Sequence, residues 1–352
     1  MSRRRRPSVL CPEGYHGDGA RAPFFEGWYI KLVSADGRRS LAFIPGVFRG
    51  LEPGSEHAFV QIVDSESPRV RYERFSVDAF VGEPDRFAVS VAEHRFGDDG
   101  LEVAFDGCAG SVRFGALNPW PVTQSSPGAM GWYAWVPFMQ CFHGVPSLDH
   151  GLEGRLEIGG VPVDFTGGRG YIEKDWGVSF PRRWVWMQSN HFAEQNLSVT
   201  ASIADVPWLG GAFPGVLVGV WRGGRLRRFT TYTGARLDEV RVPDHEADAV
   251  EVDVVDATHR LTLRASGGRP MAIHCPTERD MRTMVHERLG ATMEVRLLRR
   301  RDGAVELEGT GTQAAFEVQG DPRRLKRRVP FLGADEAPRL GRARRRPGWR
   351  SA

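Results

Sequence analysis

Between residues 170 and 192 the chain reads GYIEKDWGVSFPRRWVWMQSNHF, which sets Glu173, Lys174 and Asp175 beside Trp176, Trp184 and Trp186 and ahead of Gln188, Asn190 and His191. A carboxyl group placed among tryptophans loses hydration, which raises its pKa and lets it hold a proton near neutrality. Such a group can act as a general acid. In an extended strand Glu173 and Asp175 share one face while Lys174 takes the other, where it meets solvent or clamps a neighbouring loop. The plainer alternative is that the two carboxylates pair with Arg182 or Arg183 and hold a turn together. The same alternation puts Trp184, Trp186, Gln188 and Asn190 on one face, and Val185, Met187, Ser189 and His191 on the other. Buried amides need partners, so Gln188 and Asn190 either bond loops or face a ligand. Near the N-terminus FFEGWYIKL repeats the theme, with Glu26 and Trp28 on a common face and Tyr29 beside them. His16 and His143 fall in loops, each either a hydrogen-bonded loop residue or a proton shuttle.

These residues have to be positioned by strands. Apolar and polar residues alternate through LEVAFDG from Leu101, LSVTASIAD from Leu197 and AVEVDVVDATHRLTLRASG from Ala249, the pattern of half-buried β-strands. Turn residues sit at hairpin spacing in RGGR (222–225), DATH (256–259) and RRDG (300–303). Helical periodicity is predicted only for TERDMRTMVHERLG from Thr277, with Thr277 as cap and Glu278 and Asp280 in the first turn. The fold class is therefore all-β: two antiparallel β-barrel or sandwich domains with few short helices. We place the first domain at residues 14–160, including a long aromatic crossover from Leu117 to Gly151, and the second at 161–322. A basic, disordered tail follows over 323–352. The crossover, rich in Trp, Pro and Gly, is expected to serve as an entrance.

Composition narrows the chemistry. The chain has 352 residues, 41% hydrophobic and 26% charged, as in a water-soluble globular protein. Positive charge concentrates at Arg3 to Arg6 and in the C-terminal tail, and no basic groove with interleaved aromatics argues for a specific nucleic-acid partner. The ends are expected to be solvated, with transient contact to anionic lipid as the alternative. No apolar segment of roughly 7 to 15 residues follows the N-terminal arginines, so a cytoplasmic location, peripheral to membrane at most, is expected. Cys11, Cys108, Cys141 and Cys275 show no C-x-x-C pair, which argues against zinc and disulfides. His143 and His150 make a weak metal site at most. Nucleotide-binding motifs are lacking, so no cofactor and no metal are expected.

The segments PFFEGWYIKL, PFMQCFHG and GYIEKDWGVSFPRRWVWMQSNHF together resemble the tocopherol cyclase family, with similarity running from about Gly14 to Gln319. The resemblance implies two lipocalin-like domains and a lipophilic, isoprenoid substrate, and the family closes the chromanol ring from a prenylated hydroquinone. Its wider relatives include hydratases and polyketide cyclisation enzymes. Asp175 stands where the plastid enzymes usually show Asn. On this basis the catalytic candidates are Glu173, Asp175 and Glu26. The substrate-binding candidates are Trp28, Tyr29, Gln140, His143, Trp176, Trp184, Trp186, Gln188 and Asn190. Glu173 or Asp175 would donate a proton to an alkene, Trp176, Trp184 and Trp186 would stabilise the resulting cation, and Gln188 and Asn190 would hold the hydroquinone hydroxyls in a dry barrel. Capture of the cation by water would make the protein a hydratase, and binding without chemistry would make it a lipid or quinone carrier.

Overall fold

A computed structural model describes residues 8–67, 69–208, 211–242 and 248–326. Among these described residues two antiparallel sheets account for nearly all of the regular structure. The first has twelve strands and its central pair is Phe24–Val33 and Arg169–Gly177, flanked by Ser40–Arg49 on one side and the 18-residue strand Cys141–Ile158 on the other. The second has eleven strands and runs through Leu197–Trp208, Trp184–Ser189, Val305–Gln319 and Thr283–Arg299. Both the all-β class and the hairpins read from sequence are found. Gly223 and Gly224 have φ of 55° and 80° and join Gly211–Arg222 to Arg225–Thr230, the left-handed pair that a two-residue hairpin loop requires.

Each sheet curls around its own apolar core. Trp28, Ile30, Leu32, Phe43 and Ile172 belong to the first, and Val185, Met187, Val199, Val252 and Phe316 to the second. Strands buried on both faces then supply a third apolar layer where the sheets meet, built from Tyr29, Tyr171, Trp184, Trp186, Ile273 and Ala315 among others. Strand periodicity decides the assignment: even-numbered residues of Phe24–Val33 and Arg169–Gly177 face the first core, while odd-numbered ones face the second sheet.

Two expectations need correcting. Thr277 does accept backbone N–H bonds from Arg279 and Asp280, at 3.2 and 3.0 Å, but the turn leads into the 17-residue strand Thr283–Arg299 rather than a helix. Val285, Glu287 and Leu289 are buried and alternate with exposed His286 and half-buried Arg288 there, so the period of two prevails over the capping signal. The change of sheet also falls between Gly177 and Trp184, not near residue 160, because Arg169–Gly177 pairs with Phe24–Val33 and Cys141–Ile158. In the tail, Pro322–Lys326 forms a 3-10 turn whose Leu325 is buried in the second core. Residues 327–352 and Arg3 to Arg6 lie outside the described residues.

Candidate active site

A cavity opens between the two sheets, not inside either curled sheet. Apolar side chains including Phe25, Ile44, Phe59, Ile273 and Met281 line most of it, and its polar groups include those of Tyr29, His143, Glu173, Asp175, Trp186 and Glu317, with Gln140 and Trp184 also in the wall. The alternation of Arg169–Gly177 turns Glu173 and Asp175 towards this space and Tyr171 into the apolar layer beside it, and that of Trp184–Ser189 turns Trp184, Trp186 and Gln188 towards the same interface. Charge and aromatic bulk are thus adjacent in sequence because two strands wall one cavity.

Glu173 is buried, and one carboxylate oxygen, Oε2, accepts from the Tyr171 hydroxyl at 2.7 Å and from the Trp186 indole N–H at 2.8 Å. Burial pushes its pKa up to about 7, with Asp175 adding to the rise and His143 opposing it. His143 Nδ1 lies 2.9 Å from Asp175 Oδ1 and its Nε2 lies 4.0 Å from Glu173. Burial alone would lower the His143 pKa, but the two carboxyls raise it to about 9, so the ring carries a proton at neutrality. The donor atoms of His143, Glu173 and Asp175 lie within 4.8 Å of one another, close enough to share an ion. Several of those atoms are already committed to each other, to Tyr171 and to Trp186.

Two acids here were missed by the sequence reading. Trp184 donates its indole N–H to Glu317 Oε2 at 2.7 Å, and burial raises the Glu317 pKa to about 8, helped by Glu287, Glu173 and Asp175. Glu287 is the cross-strand register partner of Glu317 and accepts a bond from the Tyr29 hydroxyl. Burial also lowers the pKa of Lys31 to about 7, and its ammonium donates to Gln188 Oε1 at 2.8 Å. The available signal was an acid at an inward position of an apolar alternating strand, as in VHERL and AAFEV.

Other candidates lie elsewhere. Glu26, Trp28 and Trp176 face away from the cavity. Glu26 is fully buried and pairs with Lys174 at 2.5 Å and with His16 at 3.0 Å. Lys174 sits 4.6 Å from the ring centroids of both Trp28 and Trp176 and donates to the carbonyls of Pro12 and Gly14. The lysine is therefore a clamp on the N-terminal loop, and Trp176, stacked on His16, is part of that clamp. Gln140 bonds Ser179 at 2.7 Å at the cavity wall. Asn190 donates to Asp149 and to the Gly170 carbonyl, Gln188 accepts from Lys31 through Oε1 while its buried Nε2 has no partner among the described residues, and neither amide lines the cavity. The expected pairing of Glu173 or Asp175 with Arg183 does not form, because Arg183 bonds Asp205.

A family model described as tocopherol cyclase-like matches residues 112–320. The chain belongs to the tocopherol cyclase-like family. It is 26% identical to a protein of Oryza sativa subsp. japonica named as a probable chloroplastic tocopherol cyclase, over 88% of this chain and 78% of that one. It is 24% identical to the chloroplastic tocopherol cyclase of Zea mays, over 88% and 77%. The match to the tocopherol cyclase-like model includes the strands that carry Glu173, Trp184, Trp186 and Glu317 but not the segment around Glu26. The crystal structure of CghA with Sch210972 aligns with a TM-score of 0.53 at 11% identity, covering 84% of this chain and 88% of that one. At that identity the likeness concerns the fold.

Proposed function

We propose that the protein is a cofactor-independent cyclase that closes a chromanol-type ring on a prenylated hydroquinone. The observation that carries this reading is a carboxyl group, Glu173, buried in the wall of an apolar cavity and held by an indole N–H and a phenol O–H. Ring closure starts when a buried carboxyl transfers its proton to the less substituted carbon of a trisubstituted alkene, leaving a tertiary cation. A lone pair of the hydroquinone oxygen then forms the C–O bond, and the O–H proton passes to a carboxylate. No atom is gained or lost. The faces of Trp184 and Trp186 suit the cation, each contact contributing roughly 2 kcal/mol when desolvated, and the apolar lining keeps water from intercepting it.

Membership of the tocopherol cyclase-like family supports a prenylated, lipophilic substrate. The aromatic segment over 115–140, which joins the paired strands Cys108–Phe114 and Cys141–Ile158 of the first sheet, supports an entrance. Met130, Tyr133, Met139 and Gln140 line the cavity while Trp132, Trp135 and Phe138 are exposed. Trp120, by contrast, is buried. Incubation of purified protein with a prenylated hydroquinone in deuterated water tests the proposal. Chromanol carrying one new C–D bond is expected. A tertiary alcohol would make the protein a hydratase, and unchanged ligand recovered bound to protein would make it a carrier.

A further inference from the structure

Trp184 and Trp186 occupy successive positions on one face of a single strand, and each donates its indole N–H to a different buried glutamate. Trp186 holds Glu173 from across the sheet interface, and Trp184 holds Glu317 of its own sheet. The two carboxyls line the same cavity. Their surroundings differ in a way that separates acid from base. Glu173 Oε2 receives two donors, and a protonated imidazole lies 4.0 Å away, all of which favour the carboxylate. Glu317 receives one donor and stands directly across the strand pair from Glu287, with the carboxyls of Glu173 and Asp175, the phenol of Tyr29 and the thiol of Cys275 as its other titratable neighbours. Two glutamates opposed in one buried register cannot comfortably both ionise.

We propose that Glu317 is the proton donor of the reaction and Glu173 the acceptor. The assignment rests on the cyclase reading above. In the forward step the Glu317 O–H breaks as the alkene C–H forms, and the nucleophile's O–H proton ends on Glu173. Transfer of that proton back to Glu317 resets the site. Glu287 is a positioning residue, because its carboxyl opposes ionisation of Glu317 while Tyr29 holds it in place.

Both Glu317→Gln and Glu173→Gln are expected to lower turnover by about 10² to 10⁴-fold, and the rescues differ. A substrate whose alkene is replaced by a more basic enol ether should restore Glu317→Gln and not Glu173→Gln. A fluorinated, more acidic hydroquinone should restore Glu173→Gln and not Glu317→Gln. The reverse pattern, or wild-type turnover in Glu317→Gln, overturns the assignment. A second readout does not depend on turnover: the infrared protonated-carboxyl band of the resting protein at neutral pH should weaken in Glu317→Gln and persist in Glu173→Gln. Wild-type protein that closes no ring on prenylated hydroquinones would remove the cyclase reading, and the infrared bands would still decide which glutamate holds the proton.

Discussion

The strand Arg169–Gly177 carries a buried charged cluster on each of its two faces. On one, Glu26, Lys174 and His16 form a closed knot against the first core; on the other, Glu173, Asp175 and His143 face the cavity. Both key glutamates are buried, and burial pushes both pKa values up, yet Lys174 and His16 outweigh that push at Glu26 and leave its pKa below the ordinary value. At Glu173 the donors are an indole and a phenol, the imidazolium is more distant, and the pKa rises to about 7. Desolvation alone does not make an acid. A charged partner in contact turns a buried carboxylate into a clamp, while neutral donors leave it able to exchange a proton.

The largest effects should separate the two faces. Glu173→Gln is expected to lower turnover by about 10² to 10⁴-fold with the denaturant midpoint close to wild type. Lys174→Met should do the opposite, since it leaves the Glu26 carboxylate buried with only His16 beside it, an imidazole whose pKa burial lowers. Removing one partner of such a pair costs about 3 to 5 kcal/mol, to be read from the shift in urea midpoint at constant slope. If Lys174→Met unfolds no earlier than wild type, or if Glu173→Gln loses as much stability as Lys174→Met, the two clusters are not the different devices described.

The sequence makes the faces legible and hides what they face. Alternation in GYIEKDWG and WVWMQS is enough to group Glu173 with Asp175 and Trp184 with Trp186, because a strand has one period and no freedom in it. Glu26 and Trp28 were grouped correctly too, but an acid beside a tryptophan reads alike whether the third neighbour is a lysine or a cavity. Lys174 reaches Glu26 through pairing of strands far apart in sequence. Glu287 and Glu317 were missed for a similar reason: the first lay in a segment that a capping signal made look helical, and only strand pairing places it opposite the second. Position between two curled sheets is a property of their docking, which no local pattern encodes.

A smaller effect comes from pH, and the two faces should titrate in opposite senses. Glu173 and Glu317 have pKa values near 7 and 8, above the ordinary 4.5 that they regain on unfolding. Between those values the native protein binds more protons than the unfolded chain, so their contribution is full below about pH 4.5 and is lost as pH rises towards 8. His143 acts in the same sense, its contribution full below about 6.5 and lost through about 9. Glu26, with a lowered pKa, contributes above its ordinary value and loses that contribution as pH falls. His57, His150 and His191, whose pKa values burial lowers to about 4, 3 and 3, add a rising slope to wild type and variant alike, so the test is the difference: relative to the double variant Glu173→Gln/Glu317→Gln, wild-type urea midpoints should fall as pH rises from 5 to 8. An unchanged slope in that variant would mean that the cavity carboxyls are ionised throughout the range.

The smallest effect is expected at the chain ends, which belong to neither cluster. The N-terminal clamp begins with residues that Lys174 grips, Pro12 and Gly14, so removing residues 2–7 leaves its contacts in place. At the other end Leu325 fills the second core, which sets the boundary that a truncation must respect. Ending the chain after Lys326 should leave the melting temperature within a few degrees of wild type, while Leu325→Ala in the full chain should cost about 2 to 5 kcal/mol, as for other buried leucines. The pair of measurements separates a core residue from the basic segment beyond it. Were the truncation as damaging as Leu325→Ala, residues 327–352 would have to contribute to the second sheet or its core, and the arginines there would be structural rather than solvated.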